Sequence, residues 1–486
     1  MFCPKPERCV QAFGIFLGIG RFIIKRGVFA VSTRLFAEKK RHPGLRAPTV
    51  LALGFALTVL AGALVLMLPC AAADGRATPF LDALFTATSA GCVTGLITVS
   101  TAVHWSVFGK CVILLLIQIG GLGFMTMASI ASFALRRTFT LHERMVMSAG
   151  FNLSDGGGIV RLTRRVLLGT FTIEGAGAVL LSCRFVPLYG LGKGIAMGVF
   201  HAVSAFCNAG FDLMGTPDDP FRSLVGWAED PLVNITLMVL IVLGGLGFFV
   251  WSDVWDKHCF RRLRLHTKLV LTATAGLLLF GFGWTLLFEW NNPATLGAFD
   301  TPHKLLAAAF ESVTLRTAGF NTIDLAALTG PSQAVSCVLM LIGGSPGSTA
   351  GGIKTVTAAV LVLTAISTFR GRTTVSAFGR TIVPRSIMNA VTLLMAGGVF
   401  SLAGACAIAG LEGAPFHQCL FEAVSAFGTV GVTMGLTPTL SAASRLILIV
   451  MMYMGRVGVL TLGVAVFMRR REPPKLKYPD ADVFIG

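Results

Sequence analysis

Four short turns ending in glycine carry the chemistry of this chain: Cys92-Val93-Thr94-Gly95, Cys207-Asn208-Ala209-Gly210, Arg316-Thr317-Ala318-Gly319 and Gly428-Thr429-Val430-Gly431. None contains a carboxylate, so what they offer a ligand is backbone carbonyl oxygen. A dehydrated alkali cation inside a membrane needs its lost hydration shell replaced by oxygens. Rings of backbone carbonyls do this in potassium channels, where a Thr-Val-Gly run is the core of the filter. Thr429-Val430-Gly431 is such a run. Pointing successive carbonyls inward requires dihedrals that only glycine adopts cheaply, and one glycine at the matching position of each turn meets that requirement. The sixteen turn residues are therefore read as a selectivity filter, with K⁺ held at Thr94, Gly95, Ala209, Gly210, Ala318, Gly319, Val430 and Gly431. Turns that merely close re-entrant loops would not call for the Thr-Val-Gly run, nor for a glycine turn in every repeat.

The elements that must position these turns recur with them. The four glycines lie roughly 112 residues apart, and a fixed period dictates architecture. Before each turn comes a short amphipathic run starting at Phe85, Phe200, Phe310 or Phe421. After each comes a second echo: Gly120-Gly121-Leu122-Gly123, Gly244-Gly245-Leu246-Gly247, Gly343-Gly344-Ser345-Pro346-Gly347 and Gly455-Arg456-Val457-Gly458. Apolar runs of spanning length flank the turns in pairs: 48–70 with 109–134, 164–186 with 232–255, 268–289 with 331–368, and 385–411 with 442–468. The pattern predicts an all-α polytopic membrane protein of eight spans and four re-entrant pore helices, pseudo-fourfold around one pore. Each pore helix would aim its partly negative C-terminal end at the ion. The repeats occupy 48–135, 136–256, 257–369 and 370–468, between an N-terminal segment 1–47 and a tail 469–486.

Composition agrees. Of 486 residues, 54% are hydrophobic and only 13% charged, with mean hydropathy +0.77, where a soluble domain carries about a quarter charged residues. The net charge of +17 is assigned to cytoplasmic loops rather than to nucleic-acid binding. Arg136, Arg137, Arg144, Arg161, Arg164 and Arg165 join the first two repeats; Lys257, Arg261, Arg262, Arg264 and Lys268 the next; Arg370, Arg372, Arg380 and Arg385 the last. Arg469, Arg470, Arg471 and Lys475 follow the final span, whereas loops inside repeats are acidic or neutral. Both termini are thus expected in the cytoplasm, with the glycine turns opening from the outer face. Phe16, Ile19, Phe22 and Ile23 among Arg21, Lys25 and Arg26 read as a basic helix lying on the inner membrane surface. The eleven cysteines show no C-x-x-C pair and read mostly as small hydrophobes.

Run 331–368 is too long for one helix and is broken at Gly343-Gly344-Ser345-Pro346-Gly347-Ser348-Thr349-Ala350-Gly351-Gly352. Irregular backbone at membrane depth survives only buried in protein or lining a water-filled cavity, so the break should face the pore.

In these segments the chain resembles the Trk/Ktr/HKT superfamily of potassium transporters, and within it the Ktr-type membrane subunit. FHAVSAFCNAGFDLMG (Phe200 to Gly215), ESVTLRTAGFNTID (Glu311 to Asp324), IGGSPGSTAGGIKTVT (Ile342 to Thr357), EAVSAFGTVGVTMG (Glu422 to Gly435) and MGRVGVLT (Met454 to Thr461) carry the likeness. The chain departs from the pattern at Gly91-Cys92 and Cys207, which leave the glycines untouched. The ending Tyr478-Pro479 to Phe484-Ile485-Gly486 is similar to Ktr-type tails at a dimer interface. The resemblance implies inner-membrane K⁺ uptake, passive and channel-like, by a homodimer with a pore in each protomer. It further implies Na⁺ as an activator, and a cytoplasmic ring of nucleotide-binding, RCK-type regulatory subunits as partner. The chain itself carries no nucleotide motif. It also implies that segment 343–354, with Lys354 anchoring its end, is an intramembrane gate beneath the filter. Arg456 would project there as a barrier charge; a buried structural ion pair is the alternative reading.

Other polar residues have two readings each. Arg316 is expected to point away from the ions and hold its turn, against Glu311 or Glu422 on the pore helices. His201, at the equivalent pore-helix position, reads as a packed, hydrogen-bonded histidine. Cys92 and Cys207 share a register and read as inert thiols in preference to a disulfide. Glu174, a lone carboxylate in a span, could be protonated, face the bundle or bind Na⁺. It is the one candidate for an H⁺- or Na⁺-coupled symport. A Na⁺-preferring filter is a further alternative. An intramembrane enzyme would need a nucleophile and base converging from different helices, and the histidines sit mostly in loops.

Overall fold

The computed structural model describes residues 47–123, 159–459 and 461–463. The basic N-terminal segment, the link holding Arg136, Arg137 and Arg144, and the tail with Arg469–Arg471, Lys475 and Tyr478–Gly486 lie outside them. The described residues form fourteen α-helices and one two-residue antiparallel ladder, Ser376–Ala377 (β1) with Arg380–Thr381 (β2).

Four helices are long and apolar enough to cross a membrane: α1 (Ala47–Leu66), α4 (Ile159–Tyr189), α8 (Leu265–Glu289) and α12 (Pro384–Glu412). Leu53, Leu57, Leu60 and Leu64 of α1 are exposed, as a lipid-facing stripe requires. Each long helix packs along a shorter one that follows it: α2 (Phe80–Cys92), α5 (Leu191–Phe206), α9 (Thr301–Thr314) and α13 (Phe416–Gly428). These short helices begin five or more residues before the phenylalanines at which the sequence suggested a start. Phe85, Phe200, Phe310 and Phe421 instead sit mid-helix, all at least 97% buried, and form the core on which the short helices rest.

A third set completes each unit: α3 (Val107–Leu122), α6 (Pro231–Leu246), α10 (Gly330–Leu341) and α14 (Ala442–Val457). Each packs against the short helix of the neighbouring unit: α3 on α5, α6 on α9, α10 on α13 and α14 on α2. The last pair joins the final repeat of the described residues to the first and closes a ring. Arg445 Nη1 donates to Asp82 Oδ1 at 2.8 Å, and Tyr453 donates to the carbonyl of Ala52 at 2.6 Å.

The third set departs from expectation. The sequence suggested one broken run, 331–368, but all four helices stop at the second glycine echo. Gly123, Gly247 and Gly458 have φ of 82°, 94° and 89° with ψ of 138°, 141° and 131°, a combination essentially restricted to glycine. At Gly247 the chain turns by 92° into α7 (Phe248–Lys257), so 232–255 is not one straight span. In the third unit the irregular stretch runs from Ile342 to Lys354 before α11 (Thr355–Phe369).

The foot of α7 is fixed by Asp253, 7% exposed. Its carboxylate accepts from Arg264 N at 2.8 Å, Thr267 Oγ1 at 2.7 Å and Lys257 Nζ at 2.8 Å. Removing this acceptor leaves the buried Thr267 hydroxyl unmet at about 1–3 kcal/mol and frees Arg264 N and Lys257 Nζ from the helix. Asp253→Ala should therefore lower the thermal unfolding midpoint of the purified protein by several degrees, measured by intrinsic fluorescence. An unchanged midpoint would show that the link does not brace α7.

Candidate functional site

The C-terminal ends of α2, α5, α9 and α13 converge, and the four glycine turns leave them in the same unusual conformation. Val93, Asn208, Thr317 and Thr429 have φ between 52° and 66°, and the glycines two residues later have φ of 100°, 70°, 86° and 94°. Left-handed backbone at a β-branched residue is an outlier costing about 1–3 kcal/mol, so the turns at Val93, Thr317 and Thr429 must be held by their surroundings, while Asn208 adopts it more readily. Helix ends supply the first restraint. Thr94 N donates to Ser89 O at 2.8 Å, Ala209 N to Ser204 O at 2.7 Å and Val430 N to Ser425 O at 2.8 Å. The third turn is one residue shorter from its phenylalanine to its glycine. It closes through Ala318 N to Thr314 O at 2.9 Å, a tighter loop.

Hydroxyls supply the second restraint. Ser425 Oγ accepts from Gly431 N at 3.1 Å and donates to Val432 O at 2.7 Å. Ser89 Oγ accepts from Gly95 N at 3.0 Å, Ser204 donates to Phe211 O at 2.7 Å and Thr314 donates to Phe320 O. These four residues were missed in the sequence, yet a signal was there: a hydroxyl lies four positions after each of Phe85, Phe200, Phe310 and Phe421.

The turns meet edge to edge. A methyl built on Gly95 would lie 2.6 Å from Ala209 O, on Gly210 2.8 Å from Ala318 O, on Gly319 2.7 Å from Val430 O, and on Gly431 2.0 Å from Thr94 O. The carbonyls of Thr94, Ala209, Ala318 and Val430 thus circle one point, each against the preceding turn's glycine. Any side chain there would collide with backbone. The expected ligand residues are brought together as a set.

The irregular segment is packed against this ring. A methyl on Gly351 would lie 2.2 Å from Thr429 Oγ1, and one on Gly343 3.2 Å from Thr317 Cγ2. Thr349 Oγ1 lies 3.2 Å from Phe206 O and 3.0 Å from Asn208 Oδ1. Ser345 N donates to Gly245 O at 2.9 Å, Thr349 N to Gly244 O at 3.3 Å, and Phe248 N to Gly347 O at 2.9 Å. The segment therefore touches three of the four turns and the bend at Gly247. Gly347, Ser348 and Lys354 of this segment, with Arg456, line a cavity of about 580 Å³.

Two arginines hold the segment, and one corrects an expectation. Arg316 does not pair with Glu311 or Glu422. Its guanidinium reaches Gly343 O at 3.1 Å, Thr355 Oγ1 at 3.3 Å and Thr274 O at 3.4 Å. Glu422 is taken by Thr433, Met434 N at 3.1 Å and Thr437 at 2.6 Å, while neither oxygen of Glu311 has a hydrogen-bond partner among the described residues. Arg456 makes no ion pair among the described residues. It donates to the carbonyls of Thr349, Gly120 and Gly121. Lys354 folds back on the segment, donating to Ala350 O at 2.7 Å.

His201 is packed: Leu213 N donates to its Nε2 at 3.2 Å, so its Nδ1 carries the proton donated to Met197 O at 2.8 Å. Cys92 and Cys207 are buried free thiols. Glu174 is 4% exposed and faces the bundle, bound by Gln118.

With this geometry described, likeness to known proteins is specific. The family model for TrkH, a cation transport protein, matches residues 33–473. The chain is 41% identical over 439 residues to Ktr system potassium uptake protein B of Bacillus subtilis, covering 90% of this chain and 96% of that one. It is 39% identical to the potassium/sodium uptake protein NtpJ of Enterococcus hirae, covering 92% and 99%. The crystal structure of the potassium transporter TrkH from Vibrio parahaemolyticus shares the fold at TM-score 0.66 and 17% identity, over 92% of this chain and 90% of that one.

Ser425→Ala would strip a buried N–H and a buried carbonyl of their partner at about 1–3 kcal/mol each, whereas Ser425→Thr keeps the hydroxyl that Thr314 supplies in the third turn. The alanine variant should unfold at a clearly lower temperature than native and the threonine variant close to it. Equal midpoints for both would remove the hydroxyl from the turn's support.

Proposed function

We propose that this chain, which belongs to the TrkH family of cation transport proteins, is the membrane subunit of a potassium-uptake system and conducts K⁺ through the ring of glycine turns. The observation that carries the reading is the four-way approach of Thr94, Ala209, Ala318 and Val430 carbonyls to the neighbouring glycines. Carbonyl dipoles at four sides of a point, at the C-terminal ends of four helices, favour a desolvated monovalent cation without any carboxylate. The pore then lies at the centre of four repeats and eight spans, the inner spans kinked at the glycine echoes. The basic links between repeats support cytoplasmic termini in the inner membrane.

Segment 343–354 serves as the gate. It fills the space against the turns, and Lys354 and Arg456 place positive charge in the cavity beside it. A fixed cation in the path of a desolvated cation raises its barrier, and moving the short Gly-, Ser- and Thr-rich segment would release the contacts of Thr349 with Phe206 and Asn208 and uncover the turns. Transport is channel-like. The name of the Bacillus relative, a Ktr system protein B, supports an assembly of several components, read here as a homodimer on a cytoplasmic nucleotide-binding ring. The name of the Enterococcus relative includes sodium, which supports Na⁺ as an activator. Coupling through Glu174 finds less support, because its carboxylate is engaged by Gln118.

Radioactive Rb⁺ uptake into proteoliposomes tests the reading. Uptake should need only trapped K⁺, and Gly319→Ser should reduce preference for K⁺ over Na⁺ by about tenfold. Uptake that required an imposed H⁺ or Na⁺ gradient, or native discrimination in variants of all four glycines, would overturn it. Arg456→Ala should raise flux at unchanged protein level; lowered flux from folded protein would make the arginine a scaffold instead.

A further inference from the structure

Behind the second glycine turn lies a buried polar cluster that a carbonyl filter does not itself require. Gln118 on α3 places Nε2 at 3.2 and 3.1 Å from the two carboxyl oxygens of Glu174 on α4. Cys207, which caps α5, directs its thiol at 3.7 Å to both Gln118 Oε1 and Glu174 Oε1. All three are at least 91% buried. Three helices from two units thus meet at the residue immediately before Asn208, where the chain enters its left-handed turn. Buried polar side chains are costly unless satisfied, and a hydrogen-bonded network fixes one arrangement where apolar contacts tolerate several.

We propose that Glu174 is a positioning residue that, through Gln118 and Cys207, fixes the register of the Asn208-Ala209-Gly210 turn and so sets discrimination between K⁺ and Na⁺. The inference rests on the filter reading and deepens it. Its geometry has two further supports. The end of α3 leaves no slack: a methyl on Gly121 would lie 2.6 Å from Cys207 Sγ at the second turn, and one on Gly120 2.3 Å from Gly91 O at the end of α2. Arg456 donates to the carbonyls of both these glycines, so α3 is pinned one turn from Gln118. The third turn has a counterpart: Arg316 stands at the position of Cys207 and is likewise held by buried polar contacts. Discrimination between ions differing by a fraction of an ångström in radius depends on how rigidly the carbonyls are placed or how many are presented. Loosening one turn should therefore affect the ratio of ions passed more than the total.

The test measures K⁺ and Na⁺ permeation in proteoliposomes of the full-length protein, with Glu174→Ala, Glu174→Gln, Gln118→Met and, as a filter control, Gly210→Ser. Glu174→Ala and Gln118→Met should each lower the K⁺ over Na⁺ ratio by about tenfold at maximal K⁺ flux within about twofold of native. Glu174→Gln, which keeps an oxygen for the Gln118 amide, should recover most of the ratio. Should Glu174→Ala fail to fold, Gln118→Met carries the test. Native ratios in Glu174→Ala and Gln118→Met beside a lost ratio in Gly210→Ser overturn the clamp and leave the filter standing. Native ratios in all variants, Gly210→Ser included, overturn the filter reading and the clamp with it. Uptake driven by an imposed proton gradient that Glu174→Gln abolishes overturns the clamp in favour of a coupling role.

Discussion

The structure depends on one close approach: backbone carbonyls of four chain segments, separated by more than a hundred residues, set against one another's glycines with no room for a β-carbon. Helices supply their own hydrogen bonds, but these turns cannot. Polar backbone away from water must find partners or bear the full cost of desolvation. Each turn therefore carries its own restraint, a helix-end carbonyl and a hydroxyl one turn back, and the long helices exist to bring the four ends to one place. Strain at Val93, Asn208, Thr317 and Thr429 persists because everything around those residues is packed.

The same accounting explains the arginines. Arg316 and Arg456 each direct donors at a backbone carbonyl of the irregular segment, Gly343 and Thr349 respectively, and at helix carbonyls of α8 and α3, rather than at carboxylates. A guanidinium has five donors and no acceptor, which suits it to gather carbonyls that no helix or strand can satisfy. An acidic partner is what the sequence suggests for Arg316 and, as the alternative to a barrier charge, for Arg456, because an intramembrane charge normally pairs with another charge or with backbone carbonyls; here carbonyls receive both. Separation along the chain hides such a partner: Arg316 reaches Gly343, and Arg456 reaches Gly120.

What was legible in the sequence was whatever repeats. The glycine turns, the phenylalanines before them and the second glycine echo were visible because each recurs. From them came the helical class, the units and the residues that converge. Register within a unit was less visible. The short helices start before their phenylalanines, at Phe80, Leu191, Thr301 and Phe416, and no one residue type marks all four starts. The bend at Gly247 and the positive-φ helix ends at Gly123 and Gly458 were hidden inside apolar runs, since hydropathy records composition and not backbone dihedrals. The four hydroxyls are as periodic as the glycines, but serine and threonine are ordinary in helices and drew no notice. The contact of Gln118, Glu174 and Cys207 joins two units across separations of 33, 56 and 89 residues, which nothing in one chain announces.

Closure of the ring has a consequence for biosynthesis. The first turn is completed from one side by residues that leave the ribosome more than three hundred positions later: Gly431 abuts Thr94, and Arg445 clasps Asp82. Until that final quarter is inserted, Asp82 lacks its cation and the first turn stands open on one flank. Closure of the first turn thus waits on α14 and the turn before it, which act as the keystone of the ring. A nascent chain shortened by a few dozen residues at its distal end would present the quality-control machinery of the membrane with an unfinished ring, not a slightly smaller protein.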